Sequence, residues 1–175
     1  MPFYGNLYGN GYNISNLYIN YSNSSRRIDV FTYSSDYIGL FGRLSGDVSG
    51  VGLINASISG RNYVGGIAGY AIGDIYNIPS SPNAISDSFV TGAISGEGAV
   101  GGLIGIAFAG ENVNNSFFVG DVSGATSVGG LIGSAFLGSR HNISNSFAVA
   151  DVSGAENVGG LIGRFEDIYF FNNYF

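Results

Sequence analysis

A glycine-rich hexapeptide recurs along this chain and constrains its fold more than any other feature. The best copies read V-G-G-L-I-G and close at Gly105, Gly133 and Gly163, while weaker copies close at Gly42 and Gly69. The intervals between the closing glycines are 27, 36, 28 and 30 residues. A motif that returns at such intervals is typical of stacked repeats, in which each unit buries its apolar face against its neighbours.

A second segment recurs in step with the hexapeptide. N-N-S-F-F-V-G-D-V-S-G-A (114–125) matches S-N-S-F-A-V-A-D-V-S-G-A (144–155), and a third copy spans 86–97. Glycine supplies 30 of 175 residues, and each glycine costs about 1 kcal/mol inside a helix. Apolar residues are spaced two apart and are bounded by Ser-Gly turns, which indicates short strands. We therefore predict an all-β fold, a β-solenoid with about 28–30 residues and three short strands per coil.

Stacked coils would place equivalent residues in columns along the solenoid axis. We expect core columns of phenylalanine, valine and isoleucine: Phe89, Phe117 and Phe147; Val100, Val128 and Val158; Ile104, Ile132 and Ile162, continued by Ala68 and Phe41. The residues that alternate with these valines would point outward and form an apolar interface, unless the variable links cover them. This expected stripe comprises Leu40, Ile67, Leu103, Leu131 and Leu161.

The N-terminal stretch adds a resemblance to a known family. P-F-Y-G-N-L-Y-G-N-G-Y-N-I-S-N-L-Y-I (2–19) precedes the first hexapeptide, Y-I-G-L-F-G (37–42). Together with the V-G-G-L-I-G, N-S-F and V-S-G elements, it resembles the GLUG-motif repeat proteins over nearly the whole chain. The chain departs from the family pattern at Gly9 and Asn10, where an aspartate is common. The resemblance implies an adhesin-like surface protein of bacteria or archaea, or a non-catalytic region of an immunoglobulin-cleaving metallopeptidase.

We expect a single solenoid domain over 1–175 that is itself a fragment of a longer chain. Residues 1–36 would form a divergent N-terminal coil, 37–163 the GLUG-like repeats, and 164–175 an incomplete last coil or edge. An open strand edge is a template for pairing with another chain. We therefore expect Tyr169, Phe170 and Phe171, near the C-terminus, to contribute to an end-to-end interface.

Charge and composition exclude several classes of function. The six basic residues are all arginines and the net charge is −6, so the chain lacks the clustered positive charge that nucleic-acid binding requires. No run approaches the ~18–20 apolar residues of a membrane helix, so we expect no membrane insertion. The absence of cysteine excludes disulfides and thiolate metal sites. We expect no metal and no cofactor.

The sequence offers no strong catalytic constellation. His141 is the sole histidine and lies in a link between repeats, and neither H-E-x-x-H nor a suitably placed G-x-S-x-G occurs. Asp121 and Asp151 are equivalent in neighbouring coils, so strand stacking would place them ~5 Å apart, near the spacing of retaining glycosidases. Stacking gives this spacing to any repeated residue, and the third copy has Ala93. We expect no catalytic residues and no enzyme activity.

The sequence thus predicts a non-enzymatic structural or adhesive module of an extracellular surface protein, which associates with itself or with another surface protein. One alternative is a carbohydrate-binding or polysaccharide-degrading β-solenoid, and another is a non-catalytic region of a secreted surface peptidase. Six sequons also permit N-glycosylation, although Asn and Ser are equally expected in turns. Their asparagines are Asn13, Asn20, Asn23, Asn55, Asn114 and Asn142.

Overall fold

The computed structural model describes residues 2–21, 37–73, 84–136 and 142–166. Over these ranges the chain forms 21 β-strands, and no helix in them is long and apolar enough to span a membrane. The strands lie in four sheets, and the strand pairs between successive coils are parallel. The predicted all-β solenoid is therefore confirmed.

The chain passes through the four sheets once per coil, and the described residues make five coils. Coil 1 contains β1 (Leu7–Tyr8), β2 (Asn13–Ser15), β3 (Tyr18–Asn20), β4 (Tyr37–Ile38) and β5 (Phe41–Leu44). Coil 2 contains β6 (Val48–Ser49), β7 (Gly52–Ser59), β8 (Tyr63–Gly65) and β9 (Ala68–Ile72). Coil 3 contains β10 (Ala84–Ser86), β11 (Phe89–Ser95), β12 (Ala99–Gly101) and β13 (Ile104–Phe108). Coil 4 contains β14 (Asn112–Asn114), β15 (Phe117–Ser123), β16 (Thr126–Gly129) and β17 (Ile132–Phe136). Coil 5 contains β18 (Asn142–Ser144), β19 (Phe147–Ser153), β20 (Glu156–Gly159) and β21 (Ile162–Glu166).

The first to fourth sheets are named in the order in which the chain meets them. The first contains β1, β6, β10, β14 and β18, and the second contains β2, β3, β7, β11, β15 and β19. The third contains β4, β8, β12, β16 and β20, and the fourth contains β5, β9, β13, β17 and β21. A full coil thus has four strands rather than the predicted three, because the hexapeptide supplies two strands separated by a bend.

The predicted columns are present, but one of them faces the other way. Val100 pairs with Val128, and Ile104 pairs with Ile132; all four side chains are fully buried. Phe89, Phe117 and Phe147 also pair in register, yet they lie on the outer side of the second sheet. Their inward neighbours fill the core instead: Val90, Phe118 and Ala148. The expected phenylalanine core column is therefore wrong in its orientation.

The N-S-F motif builds the corner between the first and second sheets. Its first residue adopts the left-handed conformation, with φ of 50° at Asp87, 47° at Asn115 and 50° at Asn145, which Asn and Asp tolerate better than most residues. The serine that follows points inward: the Ser116 hydroxyl donates to the Asn114 carbonyl at 2.8 Å and accepts from the Ser88 amide at 3.2 Å. The corner's buried polar groups are thus paired, and the phenylalanine after the serine is directed outward.

The glycines of the hexapeptide hold the third and fourth sheets together. Gly101 and Gly133 lie on the sides of their strands that face away from the core. A β-carbon on Gly133 would lie 2.5 Å from the Val100 nitrogen, and one on Gly101 would lie 2.6 Å from the Gly133 nitrogen. Because real β-carbons do not approach backbone atoms so closely, the two sheets can meet on this side only where glycine is present.

Candidate functional site

The outer side of the second sheet carries apolar side chains in regular array across coils 3 to 5, and three of them are exposed: Val119, Phe147 and Val149. We call this surface the outer face. Moving along each strand, it presents a phenylalanine row, then a row of β-branched residues, then a row of small and acidic residues. The rows are Phe89, Phe117 and Phe147; Thr91, Val119 and Val149; and Ala93, Asp121 and Asp151. Exposure reaches 51% at Phe147 and 61% at Val149.

The phenylalanine row is a continuous stack. Adjacent ring centroids are 5.0 Å apart and the planes differ by 4° in both pairs. The rings therefore cover one another's faces and present mainly their edges to solvent. A sugar ring packs against an open aromatic face, so this stack is a poor platform for a saccharide. It suits apolar contact with another protein surface better.

The two predicted carboxylates are placed as the repeat requires. Asp121 pairs with Asp151, and Ala93 takes the same position in coil 3. Both aspartates are exposed on the outer face. In the described ranges, no group of three or more His, Cys, Asp or Glu side chains is arranged to hold a metal ion. The pair is thus an acidic border along the apolar rows.

The structure corrects the predicted apolar stripe. Ile67, Leu103 and Leu131 are completely buried in the core, and Leu40 is partly buried against it. Only Leu161, in the last described coil, is substantially exposed, at 44%. The stripe was expected from strict alternation through the hexapeptide. The chain bends at the second glycine and the following residue, which breaks the alternation and returns the leucine to the core.

Other predicted positions fall outside the described residues or stay predictions. Tyr169, Phe170, Phe171, Asn23 and His141 lie outside the described residues. The remaining sequon asparagines are all exposed: Asn13, Asn20, Asn55, Asn114 and Asn142. The Asn55 side-chain amide donates to the Asn16 side-chain oxygen at 2.8 Å. N-glycosylation at these asparagines stays a prediction.

The outer face itself was not predicted, although the sequence held a signal for it. Period-two alternation places Phe117 and Val119 on one side and Phe118 on the other. Alternation alone does not say which side is inside; in the structure the inward side chains pack beside the corner glycines. A β-carbon on Gly102 would lie 2.3 Å from the Phe118 ring, and one on Gly130 would lie 2.7 Å from the Ala148 β-carbon.

Comparisons with known proteins support the architecture. No protein-family model matches the chain, so the similarity to GLUG-motif repeats stays a resemblance. A halomucin from Haloquadratum walsbyi (strain DSM 16790 / HBSQ001) is 36% identical over 94 residues, which are 53% of this chain and 1% of the halomucin. A solved structure from Bacteroides ovatus, named as a candidate immunoglobulin A1 protease, matches with a TM-score of 0.68 at 26% identity. The match covers 90% of this chain and 46% of that one.

Proposed function

We propose that this chain is a non-enzymatic structural and adhesive repeat module of an extracellular surface protein, which makes contact through the outer face. The observation that carries the proposal is the exposed, in-register apolar array of the outer face. Unlike the buried leucines, Val119 and Val149 stay accessible in the folded chain. Contiguous exposed apolar surface of this kind is typical of protein interaction sites.

The outer face would give an interaction that grows with the number of coils. A seven-residue strand and the spacing between strands together add about 110 Å² of sheet surface per coil. The three coils that carry the outer face therefore offer about 330 Å², less than the roughly 800 Å² per partner of a stable interface. A module of this length would associate weakly, whereas a longer stack of the same coils would associate firmly.

The halomucin similarity supports an extracellular or cell-surface setting for the module. The chain spans 1% of that halomucin and 46% of the solved Bacteroides chain. The structural similarity also favours a second candidate function, a non-catalytic region of a secreted surface peptidase. A zinc-binding H-E-x-x-H motif elsewhere in the same gene would select this second candidate.

The test replaces the two aliphatic side chains at the centre of the outer face. In a Val119→Asp/Val149→Asp variant we expect self-association to fall at least tenfold, because four carboxylates would crowd the face that must be desolvated. Self-association is measured by binding of soluble chain to densely immobilised chain and by sedimentation over a concentration series. Asn142→Asp is the matched control, since it adds a charge to an exposed position of the first sheet.

The outcomes decide whether the outer face is an adhesive surface. Weak association of the parent chain that the control retains and the double variant loses supports the outer face as an adhesive surface. A parent chain that stays monomeric at millimolar concentration and does not bind the immobilised copies would contradict self-adhesion. Circular dichroism of each variant establishes that the solenoid is intact, so a loss of binding is not mistaken for unfolding.

A further inference from the structure

A cluster of aromatic rings lies beside one cation where the outer sides of the third and fourth sheets meet. Arg43 lies in β5, and its Cζ atom is 5.1 Å from the ring centroids of both Tyr37 and Tyr70. Tyr63 stacks on Tyr37 with centroids 5.1 Å apart, and Phe108 stacks on Tyr70 with centroids 6.0 Å apart. We call these five residues the Arg43 cluster.

The repeat backbone fixes the cluster in place. Arg43 pairs with Tyr70 across β5 and β9, and Tyr37 pairs with Tyr63 across β4 and β8. The glycines that hold the two sheets together lie directly beside these residues: a β-carbon on Gly69 would lie 2.8 Å from the Tyr63 carbonyl oxygen. The side chains thus project from two sheets whose separation is fixed by backbone contact, which gives a preorganised site.

The Arg43 guanidinium is held by rings rather than by acceptors. Its Nε atom is buried and has no hydrogen-bond partner. Within the described residues, no carboxylate forms a salt bridge with Arg43. A guanidinium has five N–H donors, and cation–π contact attracts the cation to the ring without neutralising it or supplying an acceptor for any donor. Nε is the one Arg43 nitrogen that is both buried and unpartnered, so an incoming acceptor would meet the terminal nitrogens of the guanidinium.

Arg164 provides an internal comparison. It occupies the same column of the fourth sheet as Arg43, at the opposite end of the described coils. Its guanidinium forms an ion pair with the Glu166 carboxylate. The Phe136 ring lies beside it, with the centroid 5.9 Å from Cζ. Both arginines therefore lie beside aromatic rings at the same position of the repeat. Within the described residues, Arg164 in coil 5 also has a carboxylate partner, whereas Arg43 in coil 1 has none.

The tyrosines leave the positive charge of Arg43 uncompensated. Burial raises the pKa of the Tyr70 hydroxyl, and the charge of Arg43 opposes this effect without reversing it. The phenol therefore stays protonated and neutral at physiological pH. The cluster carries a local charge of +1 in a chain whose net charge is −6, so it is a distinct point of attraction for an anion.

We propose that the Arg43 cluster binds the carboxylate group of a small organic acid. A planar carboxylate can accept two parallel hydrogen bonds from a guanidinium. The ring centroids of Tyr37 and Tyr70 lie 5.4 Å apart with their planes inclined at 73°, so both rings contact the guanidinium from the same side and a carboxylate would approach from the other. Glu166 supplies such a carboxylate to Arg164 from within the chain, and a ligand would supply it to Arg43.

The test uses the arginine Nε–Hε signals of the 15N-labelled chain. The chain has six arginines and no lysine, so six side-chain signals are expected, and Arg43→Lys identifies the signal of Arg43 by its loss. Sodium glucuronate is titrated against glucose, sodium chloride and inorganic phosphate at matched ionic strength. We expect a saturable shift of the Arg43 signal with glucuronate and not with glucose or chloride.

Variant chains show whether the guanidinium itself is required. Binding to Arg43→Lys is followed through the ring signals of Tyr63, and we expect affinity at least tenfold weaker because an ammonium group cannot present two parallel donors. Arg164→Lys is the matched control and should keep the parent affinity. A stationary Arg43 signal, equal shifts of all six signals, or a response to phosphate without one to glucuronate would overturn the proposal. Since the cluster lies away from the outer face, none of these outcomes bears on adhesion.

Discussion

Glu111 is the buried carboxyl group among the described residues, with 1% of its surface exposed. It immediately precedes β14, close to the corner between the fourth and first sheets. Burial raises its pKa to about 8, and the negative charge of Asp47 adds to the effect. At neutral pH the folded chain therefore holds a proton on Glu111 that the unfolded chain releases, so folding is linked to proton binding.

The linkage predicts that stability declines with rising pH. Because the folded pKa of Glu111 lies above the unfolded value of 4.5, its contribution is complete below pH 4.5 and is lost as the pH rises to about 8. Over this window the free energy of unfolding should fall by up to about 1.4 kcal/mol per pH unit. Urea denaturation of the parent chain and of Glu111→Gln between pH 5 and pH 9 measures this slope.

The glutamine variant should lose most of the slope, since its side chain cannot titrate. Glu97→Gln, at an exposed position, is the control and should follow the parent. Comparing slopes rather than absolute stabilities removes any constant packing effect of the substitution. Identical slopes in the parent and Glu111→Gln would show that this carboxyl does not carry the pH dependence.

At the scale of the strand, the sequence predicted register well and orientation poorly. Aligning equivalent residues of successive repeats is sufficient to pair Val100 with Val128 and Asp121 with Asp151, because each coil stacks on the next in the same register. Orientation depends on contacts between coils that no single repeat contains. Phe117 and Phe118 are chemically identical, and Phe118 is the one that packs in the core, beside Gly102 of the preceding coil.

The bend within the hexapeptide escaped prediction for a related reason. Strict alternation treats the six residues of the hexapeptide as one continuous strand and therefore predicts that Leu131 points outward. The bend depends on the backbone contact between the third and fourth sheets, where glycine faces glycine. The leucines that were expected to form an exposed interface therefore lie in the core. The exposed apolar residues in regular array lie on the second sheet instead.

The glycine contact gives a prediction with an internal control. A β-carbon on Gly130 would lie 2.2 Å from the Gly160 carbonyl oxygen, whereas one on Gly160, at the same place in the next hexapeptide, would meet nothing within 4 Å. We expect Gly130→Ala to destabilise the chain by about 3 kcal/mol or to prevent folding. Gly160→Ala should be neutral or slightly stabilising, because alanine restricts the unfolded chain. Urea denaturation measures both, and equal losses would contradict the stacked contact.

At the scale of the whole molecule, the solenoid behaves as a one-dimensional array. Each coil contacts its neighbours through all four sheets, so stability should be close to a sum of coil and interface terms. The ends are where regularity is lost: side chains with buried counterparts in earlier coils, such as Val158 and Leu161, are exposed in coil 5. An added internal coil should therefore contribute one full interface without altering either end.

A duplicated coil tests this additivity. Inserting a second copy of residues 109–136 after Phe136 reproduces the natural Phe108–Ala109 junction, because Phe136 pairs with Phe108 in register. We expect a six-coil chain in which the phenylalanine stack gains one ring and the urea m-value rises with the added buried surface. The free energy of unfolding should also increase, since one complete coil interface is gained and none is lost. The control insertion carries alanine in place of the copied Gly129, Gly130 and Gly133, and it should give no increase. If the faithful copy were as destabilising as this control, the coils would not be interchangeable units and the outer face could not be lengthened by repetition.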